Sequence, residues 1–208
     1  MHFAFRSGTV AERKFNMKTN TRKIAGTGLL TAIVVVLQLL GSFIKLGPFS
    51  ISLVLIPIVV GAALYGKLAG AWLGLAFGIA VLVSGDAAAF MTINPAGAII
   101  TVIVKGLLAG LAAGLVYSLI EKKNKTAATI AAAIVCPVVN TGVFLIGCSL
   151  FFMDTVRQWA EGAGFGSSVG TYMIVGLVGL NFVFELVINI VLSPVIVKLV
   201  RLGKKESK

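Results

Sequence analysis

Charge in this chain is confined to short blocks, and the stretches between them are apolar and long. That pattern restricts the fold more than any motif does. Apolar runs lie at about residues 24–43, 51–65, 67–84, 95–120, 126–152 and 172–200, most of them long enough to cross a bilayer as helices. With 58% hydrophobic and 12% charged residues at a mean hydropathy of +1.04, the chain carries more apolar surface than a soluble domain can bury. The expected fold class is an all-α membrane protein, a six-transmembrane-helix bundle. Residues 1–22 form a basic cytoplasmic N-terminal segment, 23–202 the membrane domain and 203–208 a basic cytoplasmic tail. The first apolar run is longer than the core of a signal peptide, so none is assigned, and Met17 is a second candidate start.

A net charge of +11 invites a nucleic-acid reading, but the distribution of the charges opposes it. Place both termini and connectors 2–3 and 4–5 on one side. Of the 18 basic residues, Lys45 and Arg157 then fall on the other side, Lys105 lies inside a span, and all the rest share the first side. The positive-inside rule puts that side, and both termini, in the cytoplasm. Membrane lipids are the expected partner of these charges, and nucleic acid is not.

Several chemistries lack their residues. The one histidine, His2, stands near the N-terminus, so neither a histidine metal site nor a catalytic triad is expected. Cys136 and Cys148 form no CxxC and read as small packing residues. No GxxxxGK[ST] is present, and the Gly162, Gly164, Gly166 cluster follows no strand and reads as a loop. No metal, no cofactor and no enzymatic activity are expected.

The spans carry their own punctuation. Pro57 is expected to interrupt the short second helix. Gly66, Gly70, Gly74 and Gly78 recur every four residues, as do Gly106, Gly110 and Gly114, which predicts close backbone packing, with a hinge as the rival reading. Asn94 before Pro95 suits an N-cap followed by proline at the first helical position. Residues 154–171 read as a loop with Trp159 anchored at the interface.

Within the last run, Asn181, Glu185 and Asn189 are four residues apart and share one helix face. A carboxylate there needs a partner or a polar cavity. Lys105 is the basic residue placed well inside a span, and Asn140 stands in the fifth. Counted from the outer helix ends, Lys105 and Asn181 lie roughly 15 Å deep, Asn140 roughly 18 Å, and Glu185 one turn below Asn181. Three readings fit: a solute pocket open to the outside, a structural Lys105–Glu185 ion pair with amide cross-links, or a proton or ion relay.

Gly28-Leu-Leu-Thr-Ala32, Gly47-Pro-Phe-Ser-Ile-Ser-Leu-Val-Leu-Ile-Pro57-Ile-Val-Val-Gly61-Ala62, the Gly70–Gly74–Gly78 steps and the Asn94-Pro95 entry are moderately specific together. They resemble the substrate-binding S components of energy-coupling-factor (ECF) vitamin transporters over about residues 22–200. Gly28 stands where that family has the first alanine of an Ala-xxx-Ala pair. The resemblance implies docking through Gly28 and Ala32 on a transmembrane T subunit that works with two ATPase subunits. It also implies a vitamin bound on the outer side, under loops 1–2 and 3–4 and among the last three helices. The candidate substrate-binding residues are therefore Lys105, Asn140, Asn181 and Glu185, with Asn94 and Phe49 from the loops. Residues Ser50 to Gly61 look most like pantothenate-type members, and Lys45-Leu-Gly-Pro-Phe-Ser50 lacks both acids of the riboflavin-type Lys-x-Asp-Phe-Ser-Asp segment. Riboflavin, folate and hydroxymethylpyrimidine remain alternatives, though Trp72 and Trp159 look poorly placed to stack a large planar vitamin. A stand-alone ion-coupled carrier is the rival from another class.

Overall fold

The computed structural model describes residues 10–43, 45–46, 49–50 and 53–205, with side chains described for 21–43 and 53–203. The first helix, α1 (Val10–Gly41), begins well before the expected Ile24. The stretch from Ala11 to Lys23 holds no proline or glycine and is rich in good helix formers, so nothing stops the helix at the polar boundary. Part of the expected N-terminal segment is thus helix, and Thr21–Gly41 is the length suited to a membrane. A two-residue ladder follows: β1 (Lys45–Leu46) pairs antiparallel with β2 (Phe49–Ser50).

The second helix, α2 (Leu55–Tyr65), is short, apolar and buried on almost every side, with Leu55, Ile58 and Val59 fully enclosed. It is held by packing within the bundle. Because it starts at Leu55, Pro57 falls in its first turn, where a missing N–H interrupts nothing; the expected break there is corrected. Gly66 (φ +96°) joins α2 directly to α3 (Lys67–Ser84). It is a turn residue needing positive φ, and so leaves the α3 glycine stripe.

The stripe itself marks a helix–helix contact. A Cβ added at Gly74 would fall on the carbonyl of Gly106, and one at Gly70 on that of Gly110; the converse holds for both partners. So α3 and α5 (Pro95–Ile120) run antiparallel in backbone contact. Between them lies the short α4 (Ala88–Met91). Asn94 Oδ1 caps α5 by accepting from Gly97 N at 3.0 Å, with Pro95 at the first helical position. Similarly, Asn124 accepts from Thr126 N and Ala127 N at the start of α6 (Lys125–Phe151).

The expected 154–171 loop contains a helix, α7 (Met153–Gly162), which buries Val156 and Ala160. These residues lie four apart, a helical pattern that the glycine-rich end of the connector obscures. Trp159 packs edge-on against Phe90, 5.6 Å between centroids, which places it on the protein's own aromatic cluster. The last run, expected as one helix, is broken. A turn of α8 (Val169–Thr171) leads into a π-helical stretch (Tyr172–Leu177), then α9 (Gly179–Val191) and α10 (Ser193–Lys205). The axis bends by 46° at Val178, where Val178 N bonds back to Met173 O. Gly176 and Gly179 flank the bend, and Pro194 accompanies the second break.

Among the described residues, four helices are long and apolar enough to cross a membrane, or five if the bent pair counts as one span; α2 is a shorter apolar helix. Two apolar clusters hold the bundle. One is centred on α2, α3, α5 and α6, and the other gathers Phe90, Phe144, Phe152 and Val156 with Met173 and Leu177.

Candidate functional site

Helix α9 is built inside out. Its buried residues are Glu185 (2% exposed) and Asn189 (0%), whereas Leu180 (72%) and Val191 (66%) face outward. A water-soluble helix would bury the opposite face; here the apolar face suits lipid and the polar stripe faces the bundle. Asn181 Nδ2 donates to Glu185 Oε1 at 3.2 Å, and Asn189 Nδ2 donates to the backbone carbonyl of Glu185 at 2.8 Å.

The stripe borders a cavity between α3, α5, α6 and α9, which draws its apolar walls from both clusters. Its empty space is about 730 Å³ with the open mouth included. Lys105, Asn140, Asn181 and Glu185 all line it. The Lys105 ammonium sits 5.6 Å from the Phe77 ring centroid and 5.3 Å from that of Phe144. These rings hold the side chain by cation–π attraction. Among the described residues, this ammonium forms no hydrogen bond and no ion pair within 4 Å, so the structure holds no close Lys105–Glu185 bridge. Both Glu185 and Asp86 nonetheless act on it through space.

Buried acceptors line the same space. Asn140 Oδ1, Asn181 Oδ1 and Thr101 Oγ1 have no hydrogen-bond partner among the described residues. Buried polar atoms are ordinarily paired, so three such atoms around one cavity mark places for donors of a bound molecule or for water. Asn189 Oδ1 is also unpartnered but stands outside the lining.

The other expected site residues are placed differently. Asn94 is engaged in capping α5 and is not part of the cavity wall. Phe49 lies in β2, and its side chain is outside the described residues. Gly28 and Ala32 face outward from α1, with nothing of this chain within 4 Å of a Cβ added at Gly28.

Sequence reasoning missed Thr101, the phenylalanines and the pair Gln38–Asp86. Trp72 and Trp159, the rings weighed from the sequence, do not line the cavity, whereas five phenylalanines do (Phe77, Phe90, Phe144, Phe152 and Phe182). In apolar runs these residues look like any lipid-facing side chain. Gln38, 2% exposed and near the end of an apolar helix, carried a usable signal: a buried amide there needs a partner. Among the described residues, no group of three or more His, Cys, Asp or Glu is placed to hold a metal, and both cysteines are free and buried.

Residues 22–197 match the family described as ECF transporter, substrate-specific component. The chain belongs to that family. Its members are transporter components and not enzymes; they bind a small-molecule substrate and work with ECF T and ATPase modules. Membership, together with the apolar helices, makes this a multi-pass membrane protein. The comparison with curated proteins returns no match.

Proposed function

We propose that the chain is the substrate-specificity subunit of an ATP-driven ECF importer in the bacterial plasma membrane. It binds a small water-soluble vitamin in the cavity from outside the cell and delivers it by docking on the T subunit, with two ATPases supplying the energy. The observation that carries this reading is the convergence of Lys105, Asn140, Asn181 and Glu185 on one cavity. Pantothenate is the favoured vitamin. Its carboxylate suits the lysine, its hydroxyls and amide suit the unpartnered asparagine oxygens, and the Ser50 to Gly61 pattern favours it independently. Riboflavin, folate and hydroxymethylpyrimidine are the alternatives that the aromatic walls also suit. Docking through Gly28 and Ala32 is supported by the small, outward-facing surface they make on α1.

Mass spectrometry of the small molecule that co-purifies with the chain tests the binding role; a vitamin is expected. Reconstitution tests the mechanism. Liposomes holding the chain alone should take up little solute until the T subunit and ATPases are added. Full-rate uptake by the chain alone, driven by an ion gradient, would transfer the role of Glu185 to ion coupling and end the importer-subunit reading.

A further inference from the structure

A hydroxyl stands apart from the other unpartnered groups of the cavity. Thr101 is 4% exposed, and its Oγ1 has no hydrogen-bond partner among the described residues. A helical threonine has an acceptor at hand, the carbonyl one turn back. Thr31, Thr129 and Ser149 each use it, donating to the carbonyl four residues earlier. Thr101 makes no such bond. Its two branches lie instead over Gly147 of α6, where an added Cβ would fall on both Thr101 Cγ2 and Oγ1. Gly147, itself buried, thus leaves the room in which the hydroxyl stands off its own helix.

Thr101 and Lys105 are four apart within α5, so they share a face, about 6 Å apart along the axis. Both line the cavity. Helical side chains lean toward the helix N-terminus, so the lysine stem leads its ammonium toward the turn of Thr101. The Phe77 and Phe144 rings beside that ammonium offer it no hydrogen-bond acceptor. On α6 and α9, Asn140 Oδ1 and Asn181 Oδ1 are acceptors without donors among the described residues. The polar wall is therefore divided, with two donor groups on α5 and two open acceptors on the other helices. Glu185 and Asp86 also line the cavity and Lys105 is the one cation in its described lining, which favours a singly charged anion over a multiply charged one.

We infer that Thr101, given its place by Gly147, contacts the substrate: it donates its hydroxyl proton to a carboxylate of the solute beside Lys105. The inference rests on the vitamin-binding role proposed above and deepens it. Ammonium and hydroxyl give the two carboxylate oxygens one donor each, and the asparagine oxygens take hydroxyl or amide donors from the rest of the molecule. The solute class is accordingly a monocarboxylate that carries hydrogen-bond donors away from its carboxylate.

The test equilibrates the purified full chain with pantothenate, biotin and nicotinate, each beside its neutral form (panthenol, biotinamide and nicotinamide), together with riboflavin, thiamine and hydroxymethylpyrimidine. Mass spectrometry identifies what is retained. The wild-type chain should retain one carboxylate vitamin at least about 20-fold better than its neutral form, since two hydrogen bonds lose their charge assistance in the latter. Thr101→Val keeps the shape without the hydroxyl. It should narrow that preference by about fivefold in a chain that melts no lower than wild type. Gly147→Ala displaces Thr101 and should narrow the preference similarly, with no further narrowing in the double variant. An unchanged preference in a folded Thr101→Val chain overturns the inference, and additive losses in the double variant overturn the part given to Gly147. Retention of uncharged or cationic vitamins alone by the wild-type chain also overturns it, while leaving the vitamin-binding role standing. Retention of nothing from the mixture removes that role itself, and this inference with it.

Discussion

Glu185 is the residue whose burial most needs explaining, because a carboxylate with 2% exposure in a membrane helix is sustained only by what surrounds it. Asn181 supplies one donor, and the side chain borders the cavity. Glu185→Gln keeps the acceptor for Asn181 while removing the charge. The expected outcome is a folded protein with a melting temperature near wild type and about tenfold weaker vitamin binding, since charge-assisted hydrogen bonds exceed neutral ones by about 1 kcal/mol. Loss of folding in that variant would favour a structural ionic role. Asn140 makes the opposite trade. Its unpartnered Oδ1 penalises the empty protein by about 1–3 kcal/mol, so Asn140→Leu should raise the melting temperature of the solute-free chain while weakening binding, both readable in one thermal-shift titration.

The helices divide into those whose character was legible and those set by distant contacts. The α9 stripe was legible because Asn181, Glu185 and Asn189 repeat at helical spacing, and three polar residues in an apolar run have one comfortable direction to face. The glycine steps of α3 and α5 were legible for the same reason. Gly74→Leu or Gly106→Leu should destabilise the protein by at least about 1–3 kcal/mol, seen as a lowered melting temperature, because a side chain there meets backbone that cannot yield. Gly28→Leu should change stability by less than about 0.5 kcal/mol, as nothing in the chain opposes it. It should nonetheless reduce co-purification with the T subunit; undiminished complex would remove Gly28 from the docking surface. Other features had no local signature. The π-helical stretch at Tyr172–Leu177 and the start of α2 at Leu55 are among them. The Gln38–Asp86 bond joins positions 48 apart in sequence, which no periodicity reveals.

At the scale of the whole molecule, six crossings with both termini in the cytoplasm remain the proposed topology. They follow from the distribution of the basic residues and from α2 counting as a span. Single cysteines introduced at Arg157 and Lys123, in a chain without Cys136 and Cys148, should be labelled from outside and inside the cell respectively by an impermeant maleimide; labelling of both from one side would overturn the topology. On the proposed reading, cavity, inward stripe and docking face form one device, with the solute held among α5, α6 and α9 and the outward face of α1 left for a partner. The claim on which this depends is that Lys105 holds the solute. Calorimetric titration of the co-purifying vitamin into Lys105→Met, beside the wild-type chain and with melting temperature as the control of folding, addresses it most directly. The expected result is an affinity at least about tenfold lower in a protein that still folds; equal affinity in the two chains would contradict it.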